Sequence, residues 1–288
     1  MKPARFAYHR PRAREEVDRL LADLGEEAKI LAGGQSLIPI LNMRLAAPTH
    51  LIDINGLEDE PVEPGLADGV VTLGPLVRHA AAEGSRLVAD QLPLLAQTLA
   101  HVAHPAIRSR GTVVGSIAHA DPAAELPAAI AAIEGEACVR STSGTRSIAA
   151  RDLFVSHLET ALEPGEWIEE VRMPVQGDRG SAVEEFARRQ GDYALCGVVA
   201  LAARRPLSRV FVTLAYIGMG PVPLCLELPE LSPSELAGAP LEDAVRELAH
   251  ERLEPEDDIH ASARYRLWLA ERLGVRAARR AAALPEKR

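Results

Sequence analysis

The chain reads Leu31-Ala-Gly-Gly-Gln-Ser-Leu37 at the point where an apolar strand pattern gives way to a helical one. Residues 29–32 predict a short buried strand, and the apolar residues of 37–45 recur at the spacing of one helix face. Polar and apolar residues alternate over 50–54, which predicts a second strand that ends at an Asn-Gly turn. The sequence therefore predicts a compact β-α-β unit built around the glycine turn.

The two adjacent glycines permit a close approach to the main chain. Gly33 and Gly34 carry no Cβ, so the backbone there can take positive φ and a large ligand can lie against it. Their N–H groups could hold an anion, helped by the helix N-terminus that Ser36 is placed to cap. A tight structural turn is the alternative interpretation, because neither a Walker nor a Rossmann glycine motif occurs in the chain.

The composition indicates a globular protein of roughly two domains. The chain has 288 residues, 47% of them hydrophobic, which is enough for a sizeable core. A net charge of -9 and an aromatic content of 3% argue against nucleic-acid binding, which needs a basic surface and stacking rings. The cysteines Cys138, Cys196 and Cys225 lie far apart, so we expect no disulfide framework, no cysteine-held cluster and a cytoplasmic location. We expect no membrane span either, because every apolar run is too short.

A second unusual stretch is Gly111-Thr-Val-Val-Gly-Ser-Ile-Ala-His-Ala-Asp-Pro-Ala-Ala-Glu-Leu126, which is rich in small and hydroxyl residues. Such a run offers little to pack in a core strand, but it leaves room for a flat ligand. The segments on either side are helical in pattern, over 92–102 and 125–133.

The remaining patterns divide the chain near residue 176. A helix over 14–24 and a strand over 167–173 precede a polar, glycine-containing boundary at 176–180. Beyond it, antiparallel strands are predicted first and helices afterwards: strands over 184–189, 196–203 and 210–218, then helices from 241 and over about 261–284.

Five segments, in this order, resemble motifs of the FAD-binding medium subunit of the molybdenum hydroxylases, the family of carbon monoxide dehydrogenase and xanthine dehydrogenase. The first two are the glycine turn with its flanks, 32–54, and the small-residue stretch, 111–126. The others are Thr160-Ala-Leu-Glu-Pro-Gly-Glu166, Arg188-Arg-Gln-Gly-Asp-Tyr-Ala194 and Asp257-Asp-Ile-His-Ala-Ser-Ala-Arg-Tyr-Arg266. Five matches in one order are far more specific than any one of them.

The resemblance implies an α/β (α+β) fold with FAD as cofactor. A two-part FAD-binding domain of the PCMH type would occupy 1–175, and an antiparallel sheet with helices, of the carbon monoxide dehydrogenase flavoprotein type, would occupy 176–288. It implies that the first two motifs clamp the FAD diphosphate and that the fourth lies near the isoalloxazine. The implied cofactor residues are Ala32, Gly33, Gly34, Gln35, Ser36, Leu37, Thr112, Gly115, Ser116, Asp121, Glu125, Asp192 and Tyr193.

The same resemblance implies an oxidoreductase subunit that transfers electrons. An iron-sulfur small subunit would supply electrons to the FAD, a molybdenum-cofactor large subunit would oxidise the substrate, and an external acceptor would collect the electrons. The alternative is a scaffold subunit of the same fold that binds FAD weakly or not at all.

One position departs from the family pattern. The family usually reads Thr-x-Gly-Gly-Ser, whereas this chain reads Thr112-Val-Val-Gly-Ser116. If Val114 faces the cofactor, its branched side chain alters the pocket; if it points into the core, the pocket is unchanged.

Other residues allow rival interpretations. His101, His104, His119 and Asp121 could form a metal site, although hydrogen bonding near a helix end explains the first two histidines equally simply. The arginines of the last helix predict a solvated face most simply, with contact to a partner subunit as the alternative; they are Arg264, Arg266, Arg272, Arg276, Arg279 and Arg280. Trp167 and Trp268 predict packing residues. No serine nucleophile is indicated, because no G-x-S-x-G motif occurs.

Overall fold

A small parallel sheet carries the N-terminal glycine turn. The computed structural model describes residues 2–283. The sheet has the order β1-β3-β2, with every pair of strands parallel, which confirms the predicted β-α-β unit. Val17 and Leu21 of the first helix pack against it, and that helix ends at Gly25, whose φ is +53°. The elements are β1 Ala7–His9, α1 Arg14–Leu24, β2 Ala28–Leu31, α2 Leu37–Met43 and β3 His50–Asp53.

A five-stranded antiparallel sheet forms the second part of the N-terminal half. Its order is β4-β5-β10-β6-β7, so the long strand β10 lies in the middle, and five of its eight residues are buried. A short hairpin of β8 and β9 stands apart from it. The strands are β4 Gly65–Ala67, β5 Val70–Leu73, β6 Glu136–Ser141, β7 Gly144–Ala149, β8 Phe154–Ser156, β9 Glu159–Thr160 and β10 Trp167–Pro174.

Short helices connect the two halves of this region, and one of them forms its centre. Helix α8 consists almost entirely of buried residues, because alanine, leucine, isoleucine and proline fill it. The sequence predicts no helix or strand for residues 111–119. In the structure, residues 113–119 form the helix α7. The helices are α3 His79–Gly84, α4 Arg86–Gln91, α5 Pro93–Leu99, α6 Pro105–Arg108, α7 Val113–His119, α8 Glu125–Ile133 and α9 Ala150–Leu153.

The C-terminal half is a four-stranded antiparallel sheet with helices on one face, as predicted. Its order is β11-β12-β13-β14. Val183 and Val199 face the core that contains α8, whereas Val198 and Leu214 face the last two helices. The elements are β11 Gly180–Phe186, β12 Cys196–Arg204, β13 Val210–Ile217, β14 Leu224–Glu227, α10 Pro233–Ala237, α11 Ala239–Arg252 and α12 Ala263–Ala282.

The boundary between the halves differs from the prediction in one detail. Strand β11 begins at Gly180 and ends at Phe186, whereas the sequence predicted a strand over 184–189. Its complete ladder with β12 draws the polar residues at its start into the sheet. The division at 175 and 176 stays a prediction; it falls between the end of β10 and the start of β11. The predicted end of the last helix at 284 lies outside the described residues.

Two interpretations of the last helix are wrong. Arg266 is buried, because its guanidinium donates to the Leu195 carbonyl at 2.6 Å and to Asp258 at 2.6 Å. The predicted solvated face therefore does not include it. Trp268 is 50% exposed and stacks on Tyr265 instead of packing in the core. Trp167, in contrast, is buried as predicted. Within residues 2–283, no helix is both long and apolar enough to cross a membrane.

Candidate FAD site

Gly33 lies directly against the backbone of the second motif. A Cβ at this position would stand 2.5 Å from the Arg110 carbonyl oxygen and 2.7 Å from the Gly111 Cα. Both distances are far below van der Waals contact, so only glycine lets the two loops meet. The structure thus brings the first and second predicted motifs into main-chain contact.

The remainder of the first loop is held by backbone and amide contacts. Gly34 adopts φ +72°, which explains the need for a second glycine. The Gln35 side chain donates to the Gly33 carbonyl at 3.0 Å, and Asn55 donates to the Ala32 carbonyl at 2.8 Å. These bonds fix the orientation of the Gly33 and Ala32 carbonyl groups.

The prediction that Ser36 caps α2 is wrong. Ser36 is itself in the helical region, with φ -97° and ψ -46°, and its side chain makes no capping bond. An N-cap side chain reaches the backbone from an extended conformation, which Ser36 does not have. Ser36 and Leu37, both half-buried, are the residues at which the loop becomes helix.

The second loop supplies a capped helix start on the other side. Thr112 is 2% exposed, and its hydroxyl accepts a hydrogen bond from the Gly115 N–H at 3.0 Å. A Cβ on Gly115 would meet this hydroxyl at 2.6 Å and the Ala32 Cβ at 3.9 Å. The first turn of α7, with half-buried Ser116, therefore lies beside the start of the first loop.

The first loop borders a cleft of about 490 Å³, whose other side is formed by residues just before the second motif and not by Thr112, Gly115 or Ser116. Its volume falls in the range of about 300–1,000 Å³ that is typical of small-molecule sites. The lining residues are Leu31, Ala32, Gly33, Gly34, Gln35, Ile38, Pro39, Asp53, Asn55, Ile107 and Arg110.

A network of polar groups closes one side of the cleft. Tyr8 donates to the Asp53 carboxylate at 2.5 Å, and Arg78 bonds to the Asn55 side chain and to the Arg110 carbonyl. Partial burial opposes ionisation of Asp53, but the hydrogen bonds from Tyr8 and Asn55 outweigh it and lower the pKa of this carboxyl. Asp53 is therefore a fixed negative charge at the edge of the cleft.

Asp121 and Glu125 lie beyond the other end of α7. Asp121 accepts from the Ala123 N–H at 2.9 Å and is half-buried. Glu125 is in the first turn of α8 and 7% exposed; burial raises its pKa to about 7. Helix α7 has seven residues and is therefore about 10 Å long. It separates these carboxyl groups from the glycine turn.

Tyr193 and Asp192 lie in an exposed loop on the same side as Asp121. The loop packs against His104, because a Cβ on Gly191 would stand 2.5 Å from the imidazole Cε1. Tyr193 is 62% exposed. Lost hydration of its hydroxyl, together with the neighbouring Asp121 carboxylate, raises the pKa of the phenol. The fourth motif thus meets the far end of the second motif.

Residues 4–176 match the family described as the FAD binding domain in molybdopterin dehydrogenase. The chain belongs to this family of FAD-binding medium subunits. Residues 181–281 match the CO dehydrogenase flavoprotein C-terminal domain. These matches confirm the predicted family, the mixed α/β fold and FAD as the cofactor of this oxidoreductase subunit.

Several relatives of this medium subunit resemble it over at least nine-tenths of their length. Subunit alpha of the 6-hydroxypseudooxynicotine dehydrogenase complex of Paenarthrobacter nicotinovorans is 40% identical, with 92% of this chain and 90% of the relative covered. The carbon monoxide dehydrogenase medium chain of Hydrogenophaga pseudoflava is 34% identical, with coverages of 96% and 97%. The structure of reconstituted CO dehydrogenase from Oligotropha carboxidovorans superimposes with a TM-score of 0.91 at 32% identity, covering 99% and 100% of the two chains.

The side chain of Val114, where the chain departs from the family pattern, points into the core of this medium subunit. Val114 is 5% exposed and belongs to the apolar cluster that includes Ile117 and Leu126. Its side chain is therefore packing, and it does not fill the cleft. This placement removes the reason for expecting a scaffold subunit with lost FAD binding.

Replacing Val114 with the family's glycine is expected to lower stability without improving FAD affinity. Loss of a buried valine side chain and the entropy of glycine in a helix should lower the free energy of unfolding by about 2–4 kcal/mol. Urea denaturation and FAD titration of Val114→Gly measure both quantities. Val62→Gly, at a position that is 56% exposed, is the matched control. Tighter FAD binding in Val114→Gly would contradict this placement.

Sequence reasoning missed the residues behind the second loop. His79 is buried, and a Cβ on Gly111 would stand 2.9 Å from its ring. Neither ring nitrogen has a hydrogen-bond partner, and burial lowers the pKa of His79 to about 4, so the ring is neutral. Asn55 was interpreted only as a turn residue. Neither residue belongs to a motif, so only the tertiary contacts identify it.

The metal interpretation of the histidines finds no support in the geometry. His104 supports the Gly191 loop, and the His101 ring lies 3.9 Å from Glu185. Across residues 2–283, no group of three or more histidine, cysteine, aspartate or glutamate side chains could hold a metal ion.

Proposed function

We propose that this medium subunit carries electrons through FAD between an iron-sulfur partner and an external acceptor. A molybdenum-cofactor large subunit would oxidise the substrate of the complex. The observation that carries the proposal is the main-chain contact between Gly33 and residues 110 and 111, since it brings the glycine turn and the segment that leads into α7 to one cleft. The three cysteines are consistent with a separate iron-sulfur subunit, because Cys138 and Cys196 are buried on different sheets.

The glycine turn and the neighbouring start of α7 suit the diphosphate of a dinucleotide. We assign the diphosphate to the glycine turn at residues 32–36, with Leu37 beside it, and to the first turn of α7 at Thr112, Gly115 and Ser116, where the N–H groups of residues 115 and 116 also bond to Thr112. A bound FAD would supply a group that accepts electrons singly and releases them in pairs. What the chain itself contributes is the close contact of the two loops, which a side chain at position 33 would force apart.

The exposed loop suits the ring end of the cofactor. We assign Tyr193 to a position near the isoalloxazine. We assign Asp192 to holding the loop, because the Asp192 N–H donates to the Arg189 carbonyl at 3.2 Å. An exposed aromatic side chain at this place can cover a flat ring and exclude water from it. Asp121, opposite the Tyr193 hydroxyl, would orient the phenol.

Reconstitution of the isolated chain with FAD tests the proposal. We expect one FAD per chain, seen as a flavin absorbance band that stays with the protein through gel filtration. Iron and molybdenum should be absent from the same sample by elemental analysis. Reduced iron-sulfur partner should then bleach the flavin band in stopped-flow mixing. A chain that retains no flavin at micromolar FAD would overturn the proposal in favour of the scaffold alternative.

A further inference from the structure

Two buried carboxyl groups lie within electrostatic range of each other where the C-terminal sheet packs on α8. Glu125 belongs to the first turn of α8 and is 7% exposed. Glu185 belongs to β11, and its side chain is also 7% exposed. The two groups influence each other electrostatically, and the loop that bears Tyr193 begins just after Glu185. They come from opposite halves of the chain.

The sheet places Glu185 opposite a glycine instead of opposite a charged partner. Its partner across the ladder is Gly197, and a Cβ there would stand 3.5 Å from the Glu185 Cγ and 2.9 Å from Ile217. The Glu185 Oε2 has no hydrogen-bond partner, and the His101 Nδ1 is 3.9 Å away, too far for a bond. An ionised carboxylate is strongly disfavoured at such a site, whereas a protonated one is tolerated.

The charged groups around the pair do not offset its charge. Asp121 adds a negative charge near Glu125, and Cys196 is the titratable neighbour of Glu185 on β12. Burial lowers the pKa of His101, so this ring is neutral where a cation would be needed. The nearby arginines are engaged elsewhere: Arg266 with Leu195 and Asp258, and Arg276 and Arg280 with Glu184.

These surroundings keep protons on the pair at neutral pH. Burial raises the pKa of Glu125 to about 7, and burial together with Glu125 raises the pKa of Glu185 to about 8. Each carboxyl group disfavours ionisation of the other, so they titrate as a coupled pair.

We propose that Glu125 and Glu185 form a proton-holding pair that donates the proton taken up when FAD is reduced. The proposal rests on the proposed function, because it takes the electrons from the iron-sulfur partner. In balance, two electrons from that partner and one proton from the pair convert FAD to FADH⁻; the pair gains one negative charge and is reprotonated from solvent. Glu125 of this pair lies within electrostatic range of Asp121 and Tyr193, which we assign to the ring end of the cofactor.

Removing the ionisable proton without changing the shape tests the assignment. Glu185→Gln and Glu125→Gln keep the volume of the protonated acid, and the exposed Glu254→Gln is the matched control. In the FAD-free wild-type chain we expect infrared bands of protonated carboxyl groups that disappear as the pH rises through about 7–8. Each pair variant should lose intensity in these bands, and the control should not.

Stability gives a second readout that needs no flavin. Because the folded-state pKa values lie above the ordinary 4.5, the pair's contribution to stability is fully present below about pH 4.5 and is lost as the pH rises through about 7 and 8. The melting temperature of the double variant should therefore fall less than that of the wild type between pH 6 and about pH 9.

Single-turnover reduction then tests the role of the proton. With FAD bound, reduction of either pair variant should be slower by about 10²-fold and lose its pH dependence, as expected for removal of a general acid. Unchanged rates in a variant with full FAD content would overturn the proton role alone, and pH-independent infrared bands would overturn the pair itself. A wild-type chain without bound flavin would instead overturn the proposed function, together with the proton role.

Discussion

Gly33→Ala is expected to weaken FAD binding by about 10²-fold or more, which corresponds to ~3 kcal/mol. The added Cβ would stand 2.5 Å from the Arg110 carbonyl oxygen and 2.7 Å from the Gly111 Cα. Both are backbone atoms, so the clash cannot be relieved by a side-chain rotation. The two loops must separate, and the two segments that we assign to the diphosphate then no longer converge. Fluorescence titration with FAD measures the loss.

A second glycine variant separates this effect from a general loss of glycine. Gly84 ends α3, and a Cβ there meets nothing within 4 Å, so Gly84→Ala should bind FAD normally. The FAD affinity of Gly34→Ala should lie between those of Gly33→Ala and Gly84→Ala. The φ of +72° at Gly34 is strained for alanine, but the neighbours at 3.1 Å are flexible side chains. FAD affinity that is equal in Gly33→Ala and wild type would show that the cofactor does not depend on contact between the loops.

The glycine turn could be predicted from sequence because its signals are local. Strand, turn and helix follow one another within 31–37, and periodicity identifies each of them. The cap was misassigned for the same reason. Ser36 has the right spacing, but Thr112 is the residue in an extended conformation that caps its helix. Spacing along the chain cannot give the backbone conformation on which capping depends.

Features that depend on distant partners could not be predicted. Arg266 resembles its exposed neighbours in the helical pattern, but its acceptor is a carbonyl 71 residues earlier in the chain. Strand β1 has three residues and exists because it pairs with β3, more than 40 residues away. The contact of Gly33 with residues 110 and 111 is of this kind too. Motif resemblance named both loops, but only the fold shows that their main chains touch.

Asp18→Ala is expected to lower the free energy of unfolding by about 3–5 kcal/mol, the range for removing one partner of a buried ion pair. Asp18 lies on α1 and is 4% exposed. One carboxylate oxygen accepts from the Arg140 Nε at 2.8 Å, and the other accepts from the Trp167 Nε1 at 2.8 Å. Without Asp18, the buried indole N–H and the Nε of the half-buried Arg140 lose their acceptor, although Glu15 still accepts from another nitrogen of Arg140 at 2.7 Å.

The controls for this prediction come from the same contacts. Asp23→Ala, at an exposed position of the same helix, should change stability by less than about 0.5 kcal/mol. In Trp167→Phe the indole donor is already absent, so adding Asp18→Ala should then cost less than it does in the wild type. Urea denaturation of the four proteins measures this coupling, and strictly additive effects would show that the two side chains do not interact.

The loss should extend to the cofactor, because Asp18 ties together the two parts that carry the loops. Helix α1 packs on the parallel sheet whose strand β2 leads into the Gly33 turn, whereas Arg140 and Trp167 belong to the five-stranded sheet on which α7 packs. Loosening this tie lets the loops move relative to each other, although no residue of the cleft has changed. We therefore expect Asp18→Ala to weaken FAD binding under conditions where the chain is still folded, and Asp23→Ala to leave it unchanged. Equal FAD affinity in the two variants would mean that the contact at Gly33 holds the loops together by itself.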